Sequence, residues 1–336
     1  MSTTHEPVPA RNPHGLAAML RQLVDSGRPD QAIRLAENWT QTEISDVPEI
    51  QVELARALAR QGQFELAKGR AAAALGSFRR MRNVRGQMRA NLVLGGVSFE
   101  QGQPEEAEYR FGVARVLALA LDDRQVLAQV TNNLACLILQ RNDFHAAEAL
   151  LQSALQLARE LADLKAQADL LHNLNLAFRG LGQFDAARQA GEEALRLAES
   201  IEDWSMVALA LGGLAETRGW TGTRDQQALL DRAEASAQRA GDGVREAEIG
   251  RVRATLALGA GRYGEAHRLA DVARELAETQ GSSLLVAECT GIKAVAYKRQ
   301  GNLEEAGRLR DRSREGFRRL NAYLETAWFD REWVAT

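Results

Sequence analysis

Much that would direct a reading of this chain is missing. Its 336 residues contain two cysteines, Cys136 and Cys289, far apart and each in an apolar stretch. That excludes a disulfide-stapled fold and fits two buried free thiols in a reducing compartment. Six prolines and 5% aromatics leave too little for an all-β fold. Neither sign of charge dominates: 42 basic residues stand against 45 acidic ones, a formal net charge of -3. No global field therefore draws nucleic acid or an anionic membrane. No uninterrupted apolar run reaches membrane-spanning length. The opening MSTTHEPVPARNP lacks the apolar core of a secretory signal, so a soluble, cytoplasmic protein is expected. Catalytic motifs are missing too. There is no GxxxxGK[ST], no GxSxG and no strand-linked GxGxxG. The histidines, His5, His14, His145, His172 and His267, form neither HExxH nor a Cys/His metal spacing. No enzyme, metal or cofactor is expected.

What is present is periodic. Ala, Leu, Arg, Glu and Gln, all good helix formers, dominate. A short turn of the form Gly-x-x-x-x-Ala recurs: GRPDQA at Gly27, GQFELA at Gly62, GQPEEA at Gly102 and NDFHAA at Asn142. GQFDAA at Gly182, GTRDQQA at Gly222, GRYGEA at Gly261 and GNLEEA at Gly301 follow. The gaps are 35, 40, 40, 40, 40, 39 and 40 residues. A constant period in this range marks a stacked solenoid, which grows by adding units to one continuous core. Around the turn at Asn142, Val126, Val130, Leu134, Leu137 and Ile138 precede at helical spacing. Ala147, Leu150, Leu151, Ala154 and Leu155 follow. Each unit therefore reads as an antiparallel helix hairpin. Gly or Asn at the turn suits a left-handed C-cap, and Asp143, Asp185 and Pro104 favour the start of the next helix.

Small residues fall in fixed columns. Ala55, Gly95, Ala135, Ala215, Ala254 and Ala294 stand seven residues before the turns. Ala32, Ala67, Ala107, Ala147, Ala187, Ala228, Ala266 and Ala306 stand five or six after them. Ala74, Ala114, Ala154, Ala194, Ala235 and Ala273 come seven further on. Side chains this small let helices approach closely.

These columns resemble the tetratricopeptide repeat, over roughly residues 13–320. The usual unit is ~34 residues. The longer unit here is similar to the repeats of kinesin light chains, as in TNNLACLILQRNDFHAAEALLQSALQLARE, and of bacterial peptide-sensing regulators of the Rap type. The expected fold is all-α: a right-handed superhelical solenoid of about eight hairpins. Residues 1–12 are a flexible N-terminal segment, 13–320 the solenoid and 321–336 a capping helix in which Trp328, Phe329 and Trp333 cover the last apolar face.

The resemblance implies that the first helix of each hairpin lines a concave groove holding an extended peptide or a partner helix. Counting nine, ten and thirteen residues back from the turns puts Gln129, Asn132, Asn133, Asp169, His172, Asn173, Arg251, Glu248 and Glu288 on the groove side, and Arg179 and Glu216 are added to the groove set. Asn is unfavourable inside a helix, so something compensates at Asn133 and Asn173. Either they grip a ligand backbone, since an amide both donates and accepts, or they bond between neighbouring helices. Asn175, in the close-packing column, reads as a structural hydrogen bond. Arg253 and Lys293 stand in a column otherwise filled by leucine. With Arg251, Lys298 and Arg299 they form either a cationic pocket for a carboxylate or a set of snorkelling stems. Arg79, Arg80, Arg82, Arg85 and Arg89 form a run without an acid. It marks either an edge that meets an acidic partner or a solvated loop.

The sequence-level expectation is a non-enzymatic adaptor with a protein or peptide partner, existing as a monomer or homodimer. One alternative is a Rap-like peptide-responsive regulator. About a dozen residues precede the first repeat, so such a regulator would act through the solenoid itself. The other alternative is a self-assembling scaffold.

Overall fold

The computed structural model describes residues 12–39, 44, 46–221 and 225–334. Most of the N-terminal segment and the turn at Gly222 lie outside the described residues. Among those described, all regular structure is helical. The chain divides into two compact units, Met1–Glu100 and Gln101–Thr336.

The first unit holds α1 (Pro13–Asp25), α2 (Pro29–Glu37), α3 (Pro48–Arg60), α4 (Phe64–Arg80) and α5 (Val84–Glu100). The second holds α6 (Pro104–Ala120), α7 (Arg124–Gln140), α8 (Phe144–Glu160), α9 (Leu164–Gly180), α10 (Phe184–Ser200) and α11 (Trp204–Thr221). It continues with α12 (Gln226–Ala240), α13 (Gly243–Gly259), α14 (Tyr263–Thr279), α15 (Ser283–Arg299), α16 (Leu303–Arg319) and α17 (Tyr323–Val334).

From α4 to α10 every helix is 17 residues long, separated by three-residue turns. One device recurs at the turns around 82, 122, 142, 162 and 182. The helix ends in a residue with positive φ, and the next residue sends its N–H back five positions, as Asn83 does to Phe78 (2.9 Å) and Asp163 to Ala158 (3.0 Å). This is a Schellman closure. The same residue then caps the following helix: Asn83, Asp123, Asp143, Asp163 and Asp203 accept the N–H three residues on. C-cap and N-cap are thus fused, which holds the period rigid. At the sequence-legible turns the left-handed residue is Gly27, Gly62, Gly102, Asn142, Gly182, Gly261 or Gly301. At the intervening turns it is often not glycine: Arg82, Asp122, Ala162, Glu202 and Asn321 all have φ between 50° and 54°.

The small columns are buried. Ala135, Ala147, Ala187, Ala194, Ala215, Ala254 and Ala294 are all 0% exposed. Two members of the expected set are not there. Ala228 and Ala235 are exposed, and Leu229, Leu230, Ala233 and Ala237 are buried instead. Helix α12 is two residues shorter than its counterparts, and its register is set from its C-cap. Ala233 stands eight residues before the left-handed Gly241, as Ala194 stands eight before the left-handed Glu202. In α17, Phe329 is fully buried against Phe317 and Trp333, at ring distances of 6.2 and 5.8 Å. Trp328 and Trp333 pack partly buried on the same cluster.

Candidate functional site

In the second unit the first helices of successive hairpins, α7, α9, α11, α13 and α15, lie side by side, and α17 follows α15. Their inner faces carry a continuous polar ladder. At its start, the Asn173 amide donates to Asn132 Oδ1 (2.9 Å) and meets Cys136 Sγ (3.5 Å). Of the two readings for this asparagine, the structure shows the bond between helices. Asn133, half-buried on the same helix as Asn132, has no partner among the described residues. Gln129 is exposed. Asp169, half-buried, has a partner within the chain.

The ladder then becomes ionic. Glu216 on α11 receives Arg179 from α9 (2.5 Å) and Arg251 from α13 (2.8 Å). Burial alone would raise its pKa, but the two guanidiniums outweigh burial and hold Glu216 at about 2. Arg251 reaches on to Glu288 of α15 at 3.6 Å, a charge contact without a hydrogen bond. Burial, and then the neighbouring Glu325, Glu248 and Glu216, push Glu288 up to about 8 against the pull of Arg251. Glu325 of α17 is raised as well, chiefly by burial, and its Oε2 has no partner among the described residues. Glu248 is held by Arg245 at 2.5 Å. His172 faces this charged stretch, and desolvation lowers it to about 4, so it is neutral near pH 7.

Asn175 is structural, as expected. It is 1% exposed and donates to Ala187 O (2.7 Å) and Thr217 Oγ1 (3.0 Å). Gly191 makes room for it: a Cβ there would stand 3.2 Å from the Asn175 amide and 2.8 Å from Leu214.

Of the two readings for the basic set around Arg253 and Lys293, an open cationic pocket is not what these side chains form, since each is paired inside the chain. Arg253 pairs with Asp231 (2.8 Å) and Glu234 (2.9 Å), and Lys293 with Asp271 (2.5 Å), all on the second helix of the preceding hairpin. Lys298 binds Trp333 O (2.5 Å), and Arg299 binds Glu332 (2.9 Å). Glu248 and Glu288 stand thirteen residues before their turns, in the groove-facing column of Gln129 and Asp169. The ladder residues that sequence reasoning left out are Arg245 and Glu325.

In the first unit, Glu53 is 2% exposed and clamped by Arg21 (2.9 Å) and Arg56 (2.6 Å). Beside it, Arg85 and Arg89 line a cavity of about 110 Å³ with Glu49, Val52 and Phe78. Arg79, Arg80, Arg82 and Arg85 are exposed. Arg80 turns back to Ser77 (3.0 Å), and Arg89 has a partner within the chain.

No helix among the described residues is long and apolar enough to cross a membrane. No curated protein sequence matches the chain significantly. The tetratricopeptide repeat family profile matches residues 126–200. Several solved structures share the fold. One is a Rap protein complexed with competence and sporulation factor, at 14% identity and TM-score 0.70, covering 92% of this chain and 98% of that one. Another is the Rap conjugation gene regulator of the plasmid pLS20 with the Phr* peptide, at 11% identity and TM-score 0.69, covering 92% and 96%. A third is NprR with its cognate peptide NprX, at 14% identity and TM-score 0.61, covering 98% and 99%. Residues 126–200 thus carry tetratricopeptide repeats, and the fused-cap hairpins and buried small columns give the chain a helical solenoid similar in fold to those of Rap-type proteins.

Proposed function

We propose that this protein is a non-enzymatic receptor for an extended peptide held against the inner helices of its second unit. The observation that carries the reading is the polar ladder itself. Side chains from α7 to α17 converge on one face, and an amide, Asn133, stands there without a partner. Polar groups so placed are costly to a solenoid that needs only apolar stacking, and they match the alternating donors and acceptors of a peptide backbone. Proteins of the same fold have been solved with peptides bound, which supports the reading. An acidic partner meeting the exposed arginine run of the first unit is a separate element of the proposal.

The test is selection of a binding peptide from a random library, followed by calorimetry on Asn133→Ala. An amide making two hydrogen bonds to the ligand contributes about 1–3 kcal/mol, so affinity should fall roughly 5- to 150-fold. The melting temperature should hold, since Asn133 has no partner among the described residues and Ala is the better helix former. Unchanged affinity would remove Asn133 from the site.

A second reading is favoured by one observation. Residues 1–100 form a compact unit of their own, so a peptide-responsive regulator need not act through the solenoid alone. Capturing partners with the isolated first unit and with the whole chain, with and without the selected peptide, separates the two readings. A partner retained by the whole chain and released by peptide supports the regulator.

A further inference from the structure

The side-chain hydrogen bonds of the second unit lie mostly within one helix and its turns or between neighbouring helices. One seam does not. Asn321, the left-handed residue between α16 and α17, donates its amide to Gly102 O at 2.6 Å, 219 residues earlier. Two residues on, Tyr323 O accepts from Asn142 at 3.5 Å across 181 residues, and α17 lies against α7. The line of inner helices α7, α9, α11, α13, α15 and α17 thus returns on itself. The glycine at 102 serves this closure as well as its turn. It has φ +67°, and a Cβ added there would stand 2.6 Å from the Leu320 backbone. Gly182, at the equivalent turn two repeats on, has φ +72° and nothing within 4 Å of a Cβ.

The seam is thin. The buried aromatic anchor of α17, Phe329, packs on Phe317 of the preceding helix rather than across the seam. What joins α17 to the turns at Gly102 and Asn142 is polar and partly exposed. Every other pair of successive inner helices is backed by the second helices of its hairpins.

We propose that this seam is a latch: the α16–α17 turn closes reversibly on the turns at Gly102 and Asn142, and its release exposes the inner polar face. Its purpose, admitting a peptide, rests on the function proposed above, but its test needs no peptide. Cys136 lies on the inner face beside Asn173 and is half-buried, whereas Cys289 is buried with its thiol pushed up to about 12, first of all by desolvation. A bulky maleimide therefore reads the opening through Cys136 in the otherwise unaltered chain.

Three variants are compared. Asn321→Gly keeps the left-handed turn and removes the amide donor. Gly102→Val adds a side chain against Leu320, and Gly182→Val imposes the same backbone strain away from the seam. Loss of one hydrogen bond shifts the open-to-closed ratio by roughly 2- to 12-fold. Asn321→Gly and Gly102→Val should therefore speed Cys136 labelling by a factor in that range, with Gly182→Val near the wild-type rate. Wild-type rates in both seam variants, or equal acceleration by Gly182→Val, overturns the latch. Failure to select any peptide would sink the proposed function and leave this result standing.

Discussion

Replacing Glu288 by Gln should remove a pH dependence that the wild-type protein displays between pH 6.5 and 8. The argument turns on three inner-face groups and their signs. Glu288 titrates at about 8 in the folded chain, against about 4.3 unfolded. Over that interval the native state holds a proton that the unfolded state has lost. Stability therefore falls as pH rises, by about 1.4 kcal/mol per pH unit. His172 runs the other way. It titrates at about 4 folded and about 6.5 unfolded, so the unfolded state holds the extra proton and stability rises with pH across that window. Between about pH 4.5 and 6.5 the two slopes cancel. Above 6.5 His172 is neutral in both states and only Glu288 remains, with Glu325 shifted in the same direction. The wild type should lose about 2 kcal/mol from pH 6.5 to 8. Glu288→Gln is neutral throughout and should show a much flatter profile and greater stability at pH 8. Urea melts at fixed ionic strength, with hydrogen exchange of the α15 amides as a local probe, read both quantities. A wild-type profile that is flat or rising over this interval would refute the assignment, and so would a slope that survives in Glu288→Gln.

Glu216→Gln should be more damaging than a surface change. It leaves Arg179 and Arg251 buried without their shared carboxylate, at a cost of about 3–5 kcal/mol, readable in the same melts. In the wild type the contribution of Glu216 is full above about pH 4.5 and is lost as pH falls toward about 2. Gly191→Ala forces a Cβ to within 2.8 Å of Leu214 and should cost about 1–3 kcal/mol. A neutral result would show that α10 shifts to make room. Charge reversal at Arg82 and Arg85, both exposed, should leave the melt unchanged. It should slow capture of an acidic partner and flatten its salt dependence, and unchanged capture at low salt would return the run to a solvated edge.

The hairpin period was legible because its signal is local and repeated. A left-handed turn at low cost selects glycine, and a close helix crossing selects alanine. Both preferences recur at one spacing, so even a single sequence reveals them. The intervening turns were silent for the same reason in reverse. Arg82, Asp122, Ala162, Glu202 and Asn321 adopt the same left-handed conformation without the residue that announces it. What holds them there is the Schellman closure, joined at all but Asn321 by the side-chain cap of the next helix. The error at Ala228 and Ala235 has a related origin: the column was counted forward from GTRDQQA, whereas the register of α12 is set backward from Gly241.

The ionic ladder was hidden more deeply. Glu288 and Glu278 are ten residues apart and alike in sequence, yet one is half of a buried carboxylate pair and the other an exposed partner of Arg274. Spacing puts Glu288 on the inner face, but spacing cannot say that α17 will return with Glu325 beside it. That contact depends on the register of α17 against α15, which is a property of the packed pair rather than of either helix alone. The raised Glu288 and the doubly paired Glu216 arise where neighbouring inner helices pack together, and the seam at Gly102 arises from the whole array. A repeat motif identifies what each unit must do to stack on its neighbour. It leaves open what the accumulated curvature brings together, and on the inner face of this solenoid that is where the chemistry lies.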